Sequence, residues 1–396
     1  MSLKNFSYQG WRTKLRFLMV GVFLASADLV GANVPAFKVR EIREVSPEDG
    51  FYHGWPTVLR LRDGSLLAAY SGGRDAHVCP FGRVEVMVSL NQGRTWSWPT
   101  VAMDSPIDDR DAGLLETKHG TLLLTTFRTI GFTRDGRRAR YARDQERWDR
   151  YMQGPDPKSW AEEQGPMILR SEDGGRSWSQ PASIPVSSPH GPIQLSDGRL
   201  LFPGVEGVGK GEYYKPGERR VGVWESRDDG RTWSLLSEIP TRPGDNSVDY
   251  HELHGIEAAN GTLIVQIRSH DGSKDRGDVA DRHMLQTIST DGGRSWSIPR
   301  SLGLNGYPPH LLRLRDDRLL MSFDQRHAPF GVGVRLSSDH GETWSQTMLL
   351  TKNETKLDQG YPSTVQLDDG SFLTLWYETS AGLSRAILRQ AVWVLE

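Results

Sequence analysis

The stretch Ser171-Glu172-Asp173-Gly174-Gly175-Arg176-Ser177-Trp178 carries a turn pattern that returns along the chain and decides its fold. The pattern Ser-x-Asp-x-Gly-x-(Ser/Thr)-Trp occurs again at 89–96, 226–233, 289–296 and 337–344, with Asn91 in the aspartate position of the first copy. An Asp or Asn side chain accepts hydrogen bonds from N–H groups inside a turn, and glycine supplies positive φ. We name this pattern the Asp box and expect it to be structural, with its tryptophan filling the space between strands.

A second repeat, a hairpin, alternates with the Asp boxes. Its first copy spans 57–67, where an apolar strand, a turn at Asp63-Gly64 and a second apolar strand follow one another. The same turn recurs at Gly120, Gly198, Gly261, Asp317 and Gly370. A hairpin followed by a strand pair gives four strands, which is the unit of a propeller blade. The six hairpins therefore predict an all-β fold, a six-bladed β-propeller with Asp-box turns.

The limits of the propeller follow from the same repeats. The last unit is short after Gly370, and the strand-like segment 37–45 is expected to complete it, so that the propeller spans 37–396. The widest spacing between hairpin turns, from Gly120 to Gly198, contains an insertion at 134–164 that is rich in Arg, Asp and Trp. This insertion is interpreted either as a lid over a substrate or as a solvated excursion of the surface.

The N-terminus resembles an export signal. Basic residues precede the apolar run 17–25, and Ala25-Ser26-Ala27 fits a small-x-small cleavage site. We therefore expect residues 1–27 to be a signal peptide and the mature chain to be secreted or periplasmic, without a membrane span. The alternative is an uncleaved N-terminal anchor.

Composition excludes several classes of function. The chain has 48 basic and 50 acidic residues, so it lacks the net positive charge that would favour nucleic acid as a partner. Its single cysteine, Cys79, allows neither an intrachain disulfide nor a multi-cysteine metal site. No Walker, Rossmann or zinc-protease motif occurs. We accordingly expect no metal and no cofactor.

The blade register indicates a polar site at one end of the central channel. The residues nine positions before each hairpin turn are Trp55, Asp111, Pro189, Glu252, Pro308 and Tyr361. Neighbours of these positions are His53, His190, His254, Tyr307 and His310. Arginines follow the turns at Arg74, Arg268 and Arg326. Polar groups that converge on one opening are typical of a binding site, and guanidinium groups favour an anionic ligand.

These residues resemble the sialidase (neuraminidase) superfamily over about residues 40–395. The family's Tyr-Ser motif, the Asp-Gly turn nine residues after its tyrosine and the Leu-Tyr-Glu motif are matched by 361–364, Gly370 and 376–378. The family's glutamate nine residues before the blade-four turn and arginine seven after it are matched by Glu252 and Arg268. The resemblance implies a secreted exo-glycosidase that cleaves a terminal acidic sugar, sialic acid or similar, with retention.

The resemblance also implies roles for residues. Tyr361 would be the nucleophile, Glu252 its activating base, and Arg268 and Arg326 would bind the substrate carboxylate. A neutral phenol suits this task because an Asp or Glu nucleophile would be repelled by that carboxylate. Asp75 is the nearest match to the acid/base aspartate, and Asp111 is its rival.

One departure from the family pattern concerns its first arginine, whose place is taken by Gly54. His53 or Arg74 are candidates to replace it. Further candidates for contact with the substrate, which is expected to be a glycan or oligosaccharide, are Asp111, His190, Tyr307 and His310.

Two other functions stay open. A uronate-specific polysaccharide lyase or a histidine-based glycosidase would use a histidine such as His53, His190, His254 or His310 for proton transfer. A non-catalytic glycan-binding propeller would need no nucleophile and base pair.

Overall fold

Six antiparallel sheets follow one another along the chain and form the blades of a six-bladed β-propeller. The computed structural model describes residues 34–134, 136, 144–154, 157–207, 219–269, 284–353, 358–379 and 385–396. The proposed signal peptide, 1–27, lies outside these residues. No helix in the described ranges is long and apolar enough to cross a membrane.

Blades one to three begin with a strand near the channel and continue outward. Blade one consists of β2 (Tyr52–Arg60), β3 (Leu66–Arg74), β4 (Arg83–Ser89) and β5 (Thr100–Met103). Blade two consists of β6 (Asp108–Glu116), β7 (Leu122–Thr129), β8 (Gly165–Ser171) and β9 (Ala182–Ser183). Blade three consists of β10 (Val186–Ser187), β11 (Ile193–Gln194), β12 (Leu200–Glu206), β13 (Val221–Ser226) and β14 (Ser234–Glu238).

Blades four to six repeat the arrangement, and the N-terminal strand β1 (Phe37–Glu44) completes the last one. Blade four consists of β15 (Tyr250–Glu257), β16 (Leu263–Ser269), β17 (Met284–Ser289) and β18 (Arg300–Ser301). Blade five consists of β19 (His310–Arg313), β20 (Leu319–Gln325), β21 (Gly331–Ser337) and β22 (Met348–Leu349). Blade six consists of β23 (Gln359–Gln366), β24 (Phe372–Thr379), β25 (Ala386–Leu395) and β1. The pairing of Phe37 with Leu395 confirms the expected closure.

The predicted hairpin turns share one hydrogen-bond pattern in all six blades. In blade one, Leu61 N–H donates to Ser65 O at 2.8 Å and Gly64 N–H donates to Leu61 O at 3.0 Å. The turn residue has positive φ, 88° at Gly64 and 69° at its blade-five equivalent, Asp317. Glycine adopts this conformation at little cost, which explains why five of the six turns carry it.

The Asp boxes join the third and fourth strands of blades and are satisfied internally. In the copy at 226–233, Ser226 Oγ accepts from Gly230 N–H at 2.9 Å, and Asp228 Oδ1 accepts from Thr232 N–H at 2.9 Å. The box tryptophans also reach across blade boundaries, as Trp96 Nε1 donates to Gln390 Oε1 of blade six at 2.9 Å. The boxes therefore stabilise their own turns and connect neighbouring blades, in agreement with the structural role expected for them.

The hydrophobic core is divided into six clusters, each between two adjacent blades. Strand β7 shows how the sequence produces this division. Leu122 and Leu124 pack toward blade one, whereas Leu123 packs toward blade three. Because successive side chains of a strand point to opposite faces, a strand buried on both sides is a continuous apolar run.

In its described residues the insertion carries two helices, α1 (Gln145–Met152) and α2 (Pro157–Glu163). Trp148 and Trp160 are buried against Phe132, in a satellite cluster of their own. Arg147 of α1 also contacts the loop after β3, where its guanidinium lies 3.7 Å from the ring centroid of Phe81. The described part of the insertion is thus packed onto the propeller through aromatic side chains.

Candidate active site

The inner strands of three blades share a backbone irregularity at the channel mouth. Strand pairing is interrupted around Trp55, Asp111 and Tyr361, and these residues have φ of 54°, 52° and 56°. All three lie nine residues before their hairpin turns. A bulge redirects side chains, and a non-glycine residue at positive φ costs about 1–3 kcal/mol, so such residues concentrate at functional sites.

Tyr361, Glu252 and Arg268 form one hydrogen-bonded group. The Tyr361 hydroxyl donates to Glu252 Oε1, and Arg268 Nη1 donates to Oε1 at 2.8 Å and to Oε2 at 2.6 Å. Burial by itself would raise the pKa of Glu252, but Arg268 and the Tyr361 hydrogen bond bring this pKa below its ordinary value. Burial, followed by the charges of Glu252 and Asp111, raises the pKa of Tyr361. The phenol is therefore neutral, and its proton is directed at an ionised carboxylate.

Two arginines lie over a single tyrosine ring at this group. The guanidinium carbons of Arg268 and Arg326 are 4.4 Å and 5.0 Å from the ring centroid of Tyr307. Arg326 Nε donates to Asp324 Oδ2 at 2.7 Å, and the opposite oxygen of this buried carboxylate accepts from Gln359 Nε2 at 2.6 Å. Ring and carboxylate contacts together fix the direction of both guanidinium groups.

Asp111 occupies the same pocket as Glu252. The two carboxylates line a cavity of about 120 Å³ with Phe127, Ser188 and His251 among its other walls. Asp111 Oδ1 is buried and has no hydrogen-bond partner among the described residues. Burial raises the pKa of Asp111 to about 7, opposed by its neighbour Arg110 and reinforced by Glu252. This carboxyl group is hence partly protonated at neutral pH.

Aromatic rings occupy the place where the resemblance puts the first arginine. A Cβ atom on Gly54 would lie 3.0 Å from the Tyr52 ring, so a longer side chain there requires that ring to move. The next residue, Trp55, packs against Tyr361 with ring centroids 6.4 Å apart. The guanidinium of Arg110 covers Trp55 at 4.3 Å from its ring centroid. Arg74 of blade one also lies over this ring, at 4.9 Å from its centroid, so that cations from blades one and two both reach this wall.

Three predicted site residues make their hydrogen bonds outside the group around Tyr361. Arg74 is fully buried, and its guanidinium pairs with both oxygens of Asp108, so it is not available to replace the family's first arginine. His53 Nε2 lies 3.0 Å from Asp49 Oδ1. Asp75 Oδ1 accepts from Arg147 Nη1 of α1 at 3.1 Å. In the described part of the chain, these contacts place none of the three in the hydrogen-bonded group around Tyr361.

Two further predicted residues, His190 and His310, belong to a buried histidine cluster. His190 and His310 are buried and form a cluster with His254, and the His190 ring is 6.4 Å from that of Tyr361. The structure therefore brings His190 next to the nucleophile candidate, and His310 packs on His190.

Sequence reasoning missed a second hydrogen-bonded group. Asp358 accepts from the hydroxyls of Tyr52 at 2.8 Å and Tyr377 at 3.0 Å, and its Oδ2 lies 2.9 Å from His77 Nδ1. Although burial opposes it, this hydrogen bonding lowers the pKa of Asp358 to about 2. Nothing in the repeat marks Asp358, because it precedes its inner strand and two of its three partners, Tyr52 and His77, are 306 and 281 positions away. Arg110, by contrast, had a signal, since it adjoins Asp111 at the mouth position.

Residues 140–374 match the family described as BNR repeat-like domain. The chain belongs to this family. A search of curated protein sequences gave no match. The BNR repeat-like family and the six-bladed architecture together place the chain in the sialidase/BNR propeller superfamily.

Solved structures resemble this BNR repeat-like protein in fold. A protein of unknown function from Dyadobacter fermentans is 21% identical with a TM-score of 0.72, and the match covers 92% of this chain and 100% of that one. The NanB sialidase from Streptococcus pneumoniae is 14% identical with a TM-score of 0.63, covering 90% and 70%. An intramolecular trans-sialidase from Ruminococcus gnavus is 15% identical with a TM-score of 0.59, covering 87% and 94%. At these identities the likeness concerns the fold.

Proposed function

We propose that this protein is a secreted glycoside hydrolase that removes a terminal acidic sugar, sialic acid or similar, with Tyr361 as the nucleophile. The observation that carries the proposal is the hydrogen bond from the Tyr361 hydroxyl to the ionised Glu252, which Arg268 holds through both carboxylate oxygens. A nucleophile bonded to a base that is itself oriented by a third group is the signature of covalent catalysis. The fold shared with sialidases supports the same chemistry.

The first step forms a glycosyl-enzyme bond. The Tyr361 oxygen attacks the anomeric carbon while Glu252 takes the phenolic proton, and the bond from that carbon to the leaving oxygen breaks. The leaving oxygen takes a proton from the acid, for which we propose Asp111. In the second step water loses a proton to Asp111 and attacks the same carbon, and the Tyr361 oxygen departs and regains its proton from Glu252. Two displacements retain the anomeric configuration.

Asp111 replaces Asp75 as the proposed acid for reasons of position and environment. Asp111 shares a pocket with Glu252, whereas Asp75 is paired with Arg147 beneath the insertion. The pKa of Asp111, about 7, leaves a substantial protonated fraction at neutral pH. A general acid works best when its pKa lies near the working pH.

The acidic group of the substrate is proposed to bind to Arg268, Arg326 and Arg110. The first two are oriented over Tyr307, and Arg110 is oriented over Trp55. Arg110 Nε is buried without a hydrogen-bond partner among the described residues, and Arg110 Nη1 lies 4.0 Å from Asp108, whose oxygens Arg74 already occupies. Arg110 can thus supply the cation that Gly54 does not.

The test is release of a fluorogenic leaving group from an α-sialoside by the wild-type protein, Tyr361→Phe and Glu252→Ala. Tyr250→Phe is the matched control, because it removes a buried-ring hydroxyl that contacts Asp245 instead of Glu252. We expect turnover by wild type and control and its loss in both site variants. No turnover by a wild-type protein with a β-sheet circular dichroism spectrum would rule out sialic acid as the substrate.

A second candidate function is supported by the His77–Asp358 hydrogen bond, 2.9 Å, beside Trp55. A histidine oriented by a carboxylate can remove a proton near neutral pH, as a uronate-specific lyase requires. Uronate-terminated oligosaccharides, monitored by the absorbance of unsaturated uronate products, test it. Formation of that absorbance by wild type and its loss in His77→Gln would favour elimination over hydrolysis.

A further inference from the structure

Three imidazole rings converge on the channel from three consecutive blades. His190 comes from blade three, His254 from blade four and His310 from blade five. The ring centroids are 4.9 Å apart for His190–His310, 4.9 Å for His254–His310 and 5.7 Å for His190–His254. All three side chains are buried. The proposed hydrolysis uses none of them.

Backbone N–H groups of the channel wall fix which ring nitrogen carries the proton in two of the three histidines. His254 Nδ1 accepts from Leu311 N–H at 2.9 Å, and His310 Nδ1 accepts from Thr364 N–H at 3.4 Å. A neutral imidazole that accepts at Nδ1 must carry its proton at Nε2. His190 Nδ1 lies 3.0 Å from Thr57 Oγ1, and a hydroxyl that donates there gives His190 the same tautomer.

The Nε2 atoms lie on the side of each ring away from these wall contacts. His190 Nε2 is buried and has no hydrogen-bond partner among the described residues. His190 itself is 2% exposed, so a donor left without an acceptor there would be costly. When Thr57 donates to its Nδ1, His190 presents a buried N–H donor that requires an acceptor from outside the described residues.

The rings are uncharged, which defines the class of ligand. The pKa of His190 is lowered by burial and then by His254, and that of His310 by burial and then by His254 and His190. A metal ion needs a lone pair on each Nε2, which these tautomers lack, and no group of metal-binding geometry occurs among the described residues. Neutral N–H donors suit a weakly hydrated anion.

We propose that the Nε2–H groups of His190, His254 and His310 bind a small monovalent anion of the halide class on the channel axis beneath Tyr361. The anion joins three blades and accepts the hydrogen bond that His190 Nε2 does not make within the described residues. The proposal is independent of glycosidase activity, because it concerns binding and does not involve Glu252 or Asp111.

The experiment compares halide binding in wild type, His190→Phe and Thr57→Val. Phenylalanine keeps the ring but removes the donor, and valine removes only the hydroxyl that sets the His190 tautomer. Crystals soaked in sodium bromide are expected to show an anomalous bromine peak within hydrogen-bond distance of the three Nε2 atoms. In solution, sodium chloride is expected to raise Tm relative to sodium gluconate at equal ionic strength, with an apparent Kd at least about tenfold weaker in either variant.

His119→Gln, in the exposed hairpin turn of blade two, is the control and should keep the wild-type halide response. If His190→Phe fails to fold, the bromide peak in wild type and the Thr57→Val titration decide the matter. Absence of the peak would overturn the proposal, and so would a Tm response that is equal for chloride and gluconate or unchanged in Thr57→Val. Stoichiometric uptake of zinc by the cluster would also overturn it. Because none of these readouts is turnover, failure here is distinct from failure of the proposed hydrolysis.

Discussion

The Asp-box end of the blades and the channel mouth differ in how completely their polar groups are hydrogen-bonded. At the Asp-box end, the Asp228 carboxylate accepts from Thr232 N–H, Thr232 Oγ1 and Ser226 Oγ, and the same pattern returns in the other copies that carry aspartate. At the mouth, Asp111 and His190 each bury a polar atom without a partner among the described residues, and both have positive φ.

This difference assigns stability to one end of the strands and ligand binding or catalysis to the other end. Hydrogen bonds that are complete within the protein stabilise it and leave nothing for a ligand. Polar atoms that a rigid scaffold leaves without a hydrogen-bond partner lower the stability of the fold and are available to a ligand. Substitutions at the mouth should therefore change turnover and spare Tm, and substitutions in the Asp boxes should do the reverse.

The largest expected effect tests the mouth. Tyr361→Phe should lower kcat on the α-sialoside by at least about 10³-fold, because the covalent route loses its nucleophile. Tm should stay within about 2 °C, since the ring and its contacts with Trp55 and Tyr377 remain. A variant that loses Tm along with kcat would mean that the mouth is a stabilising element, which would break the comparison.

The next effect concerns Asp111→Asn. We expect kcat to fall about 10²- to 10⁴-fold on substrates with a poor leaving group, and less on those with an activated one. Wild-type kcat/KM should decline tenfold per pH unit above about pH 7, where Asp111 loses its proton, and should also decline below the lowered pKa of Glu252.

The upper decline should disappear in Asp111→Asn. Asp75→Asn is the comparison variant and should keep both limbs of the pH profile. If Asp75→Asn instead removes the upper limb, the acid has been assigned to the wrong aspartate.

A smaller effect is expected at the arginine over Trp55. Arg110→Ala should raise KM for an acidic sugar about 10- to 100-fold with a lesser change in kcat, because one charge-assisted contact to the substrate carboxylate is lost. Arg62, in the hairpin turn of blade one and exposed, gives the control variant Arg62→Ala. An unchanged KM would remove Arg110 from the binding set.

The smallest effect belongs to the Asp boxes. Asp228→Ala should lower Tm by about 2–4 °C without changing kcat, because the turn loses its internal acceptor. Asp228→Asn should lower it less, since an amide oxygen still accepts, as Asn91 Oδ1 does from Thr95 N–H at 2.9 Å in the first box. A fall in kcat with Tm unchanged would contradict the division between the two ends.

The sequence was sufficient for the fold because each repeat carries its own local physics. Each signal lies within a stretch of about ten residues: the glycine of the hairpin turn, the serine and aspartate of the Asp box, and the apolar runs between them. The offset of nine residues also led to Tyr361, Glu252 and Asp111, since equivalent positions in equivalent blades reach the same opening.

The same reasoning could not predict where the side chains of the site point or which partners they contact. Arg74 follows its turn much as Arg268 does, yet Arg74 is neutralised by Asp108 in the next blade while Arg268 holds Glu252 in its own. Asp75 meets Arg147 from an insertion that has no counterpart in the repeat. Partners supplied by neighbouring blades and insertions lie outside any single repeat, so the spacing within a repeat does not reveal them.

The pairing of β1 with β25 also sets an order of events during synthesis. Among the described strands β1 is synthesised before all others and its partner β25 after them, so β1 has no partner until every other described strand has been made. Its charged side chains, among them Lys38, Arg40 and Glu41, discourage pairing with another chain in that interval. Closure of blade six therefore requires both of these strands to be present.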